Sequence, residues 1–234
     1  MNNNVDPVEL AKFTTLASRW WDPDSEFKPL HAINPLRLGY IERICGNLQA
    51  KKALDVGCGG GILAESMALK GAEVTGIDLG EPSLAVAELH ALESGAQVTY
   101  RNISVEALAQ EAQGSFDIVT CMELLEHVPD PSSIVTSCAS LLRSGGWALF
   151  STLNRNLKSY LFAIIGAEYV LGLLPKGTHQ FARFIRPSEL SAWSRAVHLD
   201  IKDITGMSYD PLTGTYCLGR DVGVNYLLAC QKNT

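Results

Sequence analysis

The chain has 234 residues, of which 47% are hydrophobic and 19% charged, so one large α/β domain, alone or with a small appendage, is expected and global disorder is excluded. Its formal net charge of −6 argues against a nucleic-acid partner, because binding to phosphates favours a basic surface. The sequence also lacks a secretory signal, a membrane-spanning apolar run and a C-x-x-C pair, which predicts buried free thiols in a reducing cytoplasm.

Residues 1–50 are predicted to form a helical cap. Asp6 is a candidate N-cap for a first helix that reaches Trp20 and Trp21. A proline-rich turn follows this helix. The pair Asn34-Pro35 is typical of an N-cap followed by proline at the first helical position, so a second helix is predicted to begin there.

From residue 51 to 234, short apolar strands alternate with helical segments. The predicted strands are 53–56, 73–78, 98–100, 116–122, 146–152, 199–204 and 224–230. Helical spacing fills 61–70, 82–94 and 131–143 between them. This alternation predicts a seven-stranded, mostly parallel sheet with helices on both faces.

A glycine-rich loop separates the first strand from the helix after it, with glycines at Gly57, Gly59, Gly60 and Gly61. Glycines there allow a sharp turn and let backbone amides approach a ligand. Asp55, just before the loop, suits a ligand ammonium. Asp78, at the end of the second strand, suits a ribose, although it could instead cap the next helix. We therefore expect Asp55, Gly57, Gly59 and Asp78 to bind a cofactor.

The order of these motifs resembles that of the class I S-adenosylmethionine (SAM) dependent methyltransferases. The resemblance is carried by D-V-G-C-G-G-G, V-T-G-I-D, F-D-I-V-T-C-M-E and L-L-R-S-G-G-W-A-L-F-S-T. Longer stretches, among them A-S-R-W-W-D, C-M-E-L-L-E-H-V-P-D-P and G-A-E-Y-V-L-G-L-L-P-K-G-T-H, are similar to the O-methyltransferases of ubiquinone biosynthesis. Together they span residues 17 to 226. The resemblance implies a Rossmann-like fold with an apolar insertion after strand five, over residues 155–186.

The same resemblance implies a function and a set of cofactor residues. The function is O-methylation of catechol-type polyprenyl intermediates, in both O-methylation steps of ubiquinone biosynthesis, with SAM as methyl donor. Its partner is a polyprenyl phenol or quinol, and a ubiquinone biosynthetic complex is a further expected partner. The residues implied to contact SAM are Arg37, Gly57, Asp78 and Met122. An arginine can pair with the methionyl carboxylate through two hydrogen bonds.

An acidic cluster follows the fourth strand. Glu123, Glu126 and His127 stand at i, i+3 and i+4, which predicts that they share one face of a helical turn. The resemblance suggests that all three bind Mg²⁺, which would lower the pKa of a catechol hydroxyl. His127 could instead be a general base that the glutamates orient, or the turn could be solvated around a packed histidine. Imidazole is an unusual ligand for Mg²⁺, which prefers oxygen.

The predicted insertion is strongly apolar, with Glu168 as the single charge in residues 160–175. A helix of that length would measure about 24 Å, short of the roughly 30 Å hydrocarbon core of a bilayer. It is therefore either a buried helix or a segment that enters the membrane surface. Basic flanks favour the second interpretation: Arg155, Lys158, Lys176, Arg183 and Arg186. We predict that residues 158–180 bind an anionic membrane surface, which would hold this cytoplasmic protein peripherally at the inner face of the cell membrane.

Three other functions remain open. The first is a SAM-dependent methyltransferase for another lipophilic or carboxylate acceptor. The second is a non-catalytic SAM-binding scaffold in a biosynthetic complex, against which the intact Asp55, Asp78 and Glu/His cluster speak. The third is a hydride-transferring dehydrogenase. A dinucleotide fingerprint beginning at Gly57 would require glycine or alanine where Ile62 stands, which disfavours that function.

Overall fold

The computed structural model describes residues 4–159 and 181–233. Its strands are β1 (Lys52–Val56), β2 (Glu73–Asp78), β3 (Val98–Asn102), β4 (Phe116–Met122), β5 (Leu142–Leu153), β6 (Leu199–Asp210), β7 (Thr215–Gly219) and β8 (Asn225–Lys232). Its helices are α1 (Pro7–Leu16), α2 (Lys28–Cys45), α3 (Ile62–Leu69), α4 (Glu81–Ser94), α5 (Val105–Glu111), α6 (Pro131–Leu141), α7 (Leu157–Ser159) and α8 (Pro187–Ala196). Short 3₁₀ turns cover Ala17–Arg19, Leu125–His127 and Phe181–Arg183.

The described strands form one sheet in the order β3-β2-β1-β4-β5-β8-β6-β7. The strands β1 to β5 are parallel, β8 runs antiparallel to both β5 and β6, and β7 runs antiparallel to β6. The predicted α/β class and mostly parallel sheet are therefore confirmed. The described sheet has eight strands rather than seven, because β6 continues to Asp210 and turns back through Gly214, whose N–H donates to the Asp210 carbonyl, into β7.

The sheet buries both of its faces. Neighbouring residues in one strand belong to different core clusters, as Leu54 and Ala53 do in β1 or Leu228 and Leu227 in β8. One cluster contains residues of α5, α6 and α8, and the other contains residues of α2 and α3. Because successive side chains of a strand point to opposite faces, the helices cover the sheet on both sides.

Of the two N-terminal helices, the sequence predicts the start of the first correctly and places the start of the second too late in the chain. Asp6 caps α1 as predicted, because its Oδ1 accepts from the N–H of Val8 (2.9 Å) and of Glu9 (3.4 Å). The predicted start of the second helix at Asn34-Pro35 is wrong, since α2 begins at Lys28, seven residues before Pro35, and contains Pro35. Asn34 is buried, and its amide donates to Ser66 Oγ at 2.8 Å instead of capping a helix.

Three further predictions concern the cysteine thiols, a membrane-spanning helix and the apolar insertion. All six cysteines lie among the described residues and are unpaired, and only Cys217 is exposed. Within residues 4–159 and 181–233, no helix is long and apolar enough to cross a membrane. The apolar centre of the predicted insertion, residues 160–180, lies outside the described residues.

Two glycines that face each other across β6 and β7 provide a stability test. A Cβ on Gly206 would lie 1.8 Å from the Asp221 carbonyl oxygen, whereas a Cβ on Gly219 would meet nothing within 4 Å. We expect Gly206→Ala to lower the free energy of unfolding by about 1–3 kcal/mol, because the 221–222 backbone must move. The control Gly219→Ala should be near neutral. Equal denaturation midpoints for the two variants would contradict the crowding at Gly206.

Candidate active site

A cavity opens at the carboxyl ends of β1, β2 and β4, and α1 and Trp20 cover it. Open α/β sheets build their ligand sites at this edge. All six residues expected to bind the cofactor line the cavity, together with two members of the acidic cluster: Arg37, Asp55, Gly57, Gly59, Asp78, Met122, Glu123 and His127. Glu126 is not part of this wall.

The glycine loop needs its glycines for backbone geometry. Gly57, Gly59 and Gly61 have φ values of +70°, +52° and +87°, which L side chains rarely adopt. A Cβ on Gly57 would also lie 2.9 Å from the Leu124 side chain. The loop is tied to the end of β2, since the N–H groups of Gly57 and Cys58 donate to the Ile77 carbonyl at 2.9 and 3.0 Å. The backbone of this loop therefore forms the floor of the cavity.

The two aspartates beside the loop have different partners. Asp78 accepts from the N–H of Gly59 (3.0 Å) and of Gly80 (2.7 Å), so it joins the glycine loop to the start of α4. The N-cap residue of α4 is Gly80, so Asp78 is not the N-cap that the sequence left as an alternative. Asp55 is 3% exposed and accepts from Thr120 Oγ1 at 2.7 Å. Burial raises the pKa of Asp55 to about 6, and a ligand cation would favour its ionised form.

Arg37 reaches the cavity from α2 and is 6% exposed. Its Nη2 lies 3.2 Å from Glu123 Oε1. Its Nε is buried, and no described residue accepts a hydrogen bond from it. Leaving a buried charged donor without an acceptor is costly, so this guanidinium fits the carboxylate of a ligand. Met122 is also buried and belongs to the α2–α3 side of the core as well as to the cavity wall.

The acidic cluster does not form one helical face, and that prediction is wrong. Glu123 has a φ of +52°, and its N–H still donates to the Ser151 carbonyl of β5, so the 3₁₀ turn begins only at Leu125. The Glu123 carboxylate accepts from Ser151 Oγ (2.7 Å) and Asn225 Nδ2 (3.1 Å). Burial raises the pKa of Glu123, but the charge of Arg37 and these hydrogen bonds outweigh it, and the net pKa is lowered.

Glu126 and His127 point to different surroundings. Glu126 is 3% exposed and accepts from Thr152 Oγ1 at 2.8 Å, while its Oε1 is buried without a hydrogen-bond donor among the described residues. Burial and the charge of Glu123 raise its pKa to about 7. His127 Nδ1 lies 2.7 Å from Glu9 Oε2. Burial lowers the pKa of His127, but the Glu9 hydrogen bond and the nearby carboxylates give a net increase.

Glu9 is a site residue that the sequence analysis missed. It lies on α1, is 8% exposed and lines the cavity with Phe13, whose ring meets the His127 ring edge-on at 5.2 Å. The i, i+4 spacing of Glu9 and Phe13 places them on one helix face. Nothing local indicates that this face meets His127, which is 118 residues away.

The residues proposed as magnesium ligands do not fit that role as they are placed. No group of three His, Cys, Asp or Glu side chains in residues 4–159 and 181–233 could hold a metal ion. Glu123 is engaged by Arg37, Ser151 and Asn225, and His127 by Glu9. Glu126 lies behind the cavity wall, against Thr152. As placed, these three side chains therefore do not form a shared Mg²⁺ site.

This sheet order, with a glycine loop after β1 and an aspartate at the end of β2, defines a class I SAM-dependent methyltransferase. Residues 31–202 match the family model described as a methyltransferase domain. The fold is similar to that of magnesium protoporphyrin IX methyltransferase from Synechocystis PCC 6803 with bound SAH (S-adenosylhomocysteine), with a TM-score of 0.70 and 20% identity over 95% of each chain. The same enzyme with bound SAM gives a TM-score of 0.66 and 18% identity over both full chains.

Closer similarity defines the family within this class. The chain is 62% identical to the ubiquinone biosynthesis O-methyltransferase of Bordetella avium, over 99% of this chain and 96% of that protein. It is 63% identical to the protein of the same name from Nitrosomonas europaea, over 97% of this chain and 96% of that protein. The chain belongs to the ubiquinone biosynthesis O-methyltransferase family.

The buried carboxyl of Glu126 predicts a pH-dependent stability. Its pKa is about 7 in the folded protein against an ordinary 4.5, so between these values the folded state binds the extra proton and stability falls as pH rises. Glu126→Gln removes this dependence. We expect the melting temperature of the variant, relative to wild type, to be higher at pH 8 than at pH 5. The exposed Glu93→Gln is the control, and a pH-independent difference for Glu126→Gln would contradict a buried ionisable carboxyl.

Proposed function

We propose that this protein transfers a methyl group from SAM to a hydroxyl of catechol-type polyprenyl phenols and quinols, in both O-methylation steps of ubiquinone biosynthesis. The relatives named above support the pathway and the reaction. The observation that carries the chemistry is one cavity wall that combines the buried charges of Arg37 and Asp55 with the His127–Glu9 pair. The first two can bind a zwitterionic donor, and the pair can take a proton from an acceptor.

The donor site is proposed on six residues. The Arg37 guanidinium, with its unpaired Nε, would bind the methionyl carboxylate, and the buried Asp55 carboxylate would bind the ammonium. The Asp78 carboxylate, at the end of β2, would accept from the ribose hydroxyls. The backbone of Gly57 and Gly59 would line the amino-acid end, and Met122 would pack against the methionyl or adenosine part.

Proton removal is proposed on His127. When bound, SAM supplies a sulfonium methyl group that undergoes in-line displacement, and positioning provides much of the rate of such a reaction. Because the Glu9 carboxylate accepts from Nδ1, it favours the tautomer in which Nε2 is the proton acceptor. Nε2 of His127 would take the hydroxyl proton as the acceptor oxygen attacks the methyl group that the sulfonium supplies, and the sulfur would keep the electron pair of the carbon–sulfur bond. Glu123 orients Arg37 through their ion pair.

Magnesium stays a prediction of the family resemblance. Glu123, Glu126 and His127 would have to leave their present partners to share one ion. Carboxylate oxygens are suitable ligands, whereas the imidazole of His127 is an unusual one. We therefore assign proton transfer to the His127–Glu9 pair, which requires no metal.

The assay measures the transfer of a labelled methyl group from SAM to a short-tailed prenyl catechol, with Mg²⁺ and with chelator. We expect turnover in both conditions. His127→Gln should lower turnover by about 100-fold or more, as expected for a lost general base, without changing the affinity for SAH. Turnover that chelator abolishes and Mg²⁺ restores would assign the acidic cluster to a metal instead. A protein that binds SAH but methylates no prenyl catechol would disprove the proposed acceptor.

Membrane contact through residues 158–180 is also part of the proposal. A polyprenyl phenol partitions into lipid, so the enzyme must meet it at the membrane, and the inner face of the cell membrane is the proposed location. The described basic flanks contribute less free charge than the sequence suggests, because Arg155 pairs with Glu189, Lys158 with Asp221 and Arg183 with Asp6. The apolar run therefore provides most of the expected affinity. A biosynthetic complex as partner also stays a prediction.

Liposome sedimentation tests the membrane contact. Because Arg155, Lys158 and Arg183 have carboxylate partners, we expect the protein to sediment with anionic vesicles and to lose only part of this binding on neutral ones. Deleting residues 158–180 should weaken sedimentation on both. Equal sedimentation of wild type and deletion variant would exclude this segment as the membrane contact.

A further inference from the structure

The motif A-S-R-W-W-D is conspicuous in the sequence, but the proposed chemistry makes no use of it. Its two tryptophans, Trp20 and Trp21, follow the 3₁₀ turn Ala17–Arg19 and lie against the glycine loop. Trp20 is 7% exposed and lines the cavity. Both indoles therefore belong to the surroundings of the cofactor loop, although they are about forty positions away from it in the chain.

Trp20 occupies the space that a side chain at position 59 or 60 of the glycine loop would need. A Cβ on Gly59 would lie 2.1 Å from Trp20 Cζ2, and a Cβ on Gly60 would lie 2.2 Å from Trp20 Cγ. Gly59 also has a positive φ, which by itself favours glycine, but Gly60 does not. Close contact with the indole is therefore the reason that the structure gives for glycine at position 60.

Trp21 holds the same loop by a different contact. Its Nε1 donates to the Gly60 carbonyl at 2.8 Å. Its ring stacks on His90, with 3.3 Å between ring centroids and an angle of 1°. His90 in turn bonds through Nδ1 to the buried Glu65 carboxylate of α3 at 2.9 Å. Trp21 thus connects the loop to both helices that follow it, α3 and α4.

The indole of Trp20 is itself fixed from the other side. It stacks on Phe27, with ring centroids 4.0 Å apart, and the Trp20 carbonyl lies 2.8 Å from His31 Nε2. Phe27 immediately precedes α2, which carries Arg37. The segment from Trp20 through α2 therefore contacts the glycine loop and also presents the Arg37 guanidinium to the cavity.

We propose that Trp20 and Trp21 are positioning residues of the cofactor site, which hold the glycine loop in its binding conformation. A glycine-rich loop samples many conformations when nothing packs on it, and a ligand's apparent affinity falls with the fraction of protein in the competent one. The indoles remove this freedom before the cofactor arrives. The inference rests on the proposed SAM site. Loss of the indole contacts would appear as weaker cofactor binding, not as slower methyl transfer.

The test is a double-mutant cycle read by calorimetric titration with SAH. Gly60→Ala should weaken SAH binding about 10-fold or more in the wild-type background, because the methyl collides with the Trp20 ring. In a Trp20→Ala background the same change should cost less than about 3-fold, since the ring atoms 2.2 Å away are removed and only the Cβ of residue 20, at 2.8 Å, remains in contact. An equal loss in both backgrounds would show that Gly60 serves the cofactor directly, and would overturn the role of Trp20.

Trp21→Phe keeps a ring and removes only the N–H donor, so it remains informative if Trp20→Ala folds poorly. We expect its dissociation constant for SAH and its KM for SAM to rise about 3- to 10-fold, as expected for one lost hydrogen bond, with kcat and the acceptor KM unchanged. Trp193→Phe, on α8, is the matched control and should leave all four values unchanged. A lowered kcat with unaltered SAH affinity would overturn the proposal. SAH binding by the wild type tests the SAM site separately.

Discussion

The buried ion pair between Arg37 and Glu123 is the interaction on which the site depends. Taking two charges out of water is expensive, and their attraction compensates only if further hydrogen bonds satisfy them. Glu123 obtains these from Ser151 on β5 and Asn225 on β8. The pair therefore fixes α2 against the carboxyl ends of β4 and β5 and the amino end of β8, and the cavity lies beside this junction. The positive φ of Glu123 is the local strain that this arrangement maintains.

One consequence is that the carboxylates of the site are not equivalent. Arg37 keeps the pKa of Glu123 low, whereas burial raises the pKa of Asp55 to about 6 and that of Glu126 to about 7. Asp55 faces the cavity and can respond to a bound cation, but Glu126 lies behind the wall. Glu123 and Glu126, three positions apart, thus have different surroundings, because the chain leaves β4 and enters the 3₁₀ turn between them.

The N-terminal segment does more than cover the cavity. Through Glu9 it supplies the partner of His127, and through the two tryptophans it holds the glycine loop. The Asp6 carboxylate, which caps α1, also pairs with Arg183 at 2.5 Å, near the end of the predicted insertion. The candidate base and the end of the insertion are therefore linked through α1, and the glycine loop is held by the two tryptophans that follow this helix.

The sequence alone predicts those elements that depend on interactions between residues close together in the chain. The predicted bounds of β2 and β4 agree with the structure, because short apolar runs flanked by turn residues specify strands. The glycine loop and Asp78 were recognisable because a strand-to-helix turn needs residues that tolerate positive φ. The start of α2 was misplaced because Asn34 finds its partner in Ser66 of α3. That partner is fixed by helix packing, and an N-cap pattern cannot reveal it.

Only the tertiary structure decided which side chains meet. The Glu9–His127 pair joins residues 118 positions apart, and the Asp6–Arg183 pair joins residues 177 positions apart. The i, i+3, i+4 spacing predicted one face for Glu123, Glu126 and His127, but the β4–β5 pairing extends to Glu123 and prevents a helix there. Sequence periodicity indicates which face of a helix or strand a residue occupies. The partners of a buried charge depend instead on which strands and helices lie side by side in the folded protein. For that reason the sequence alone identified the family and eight residues of the cavity wall, but not the arrangement of charges within it.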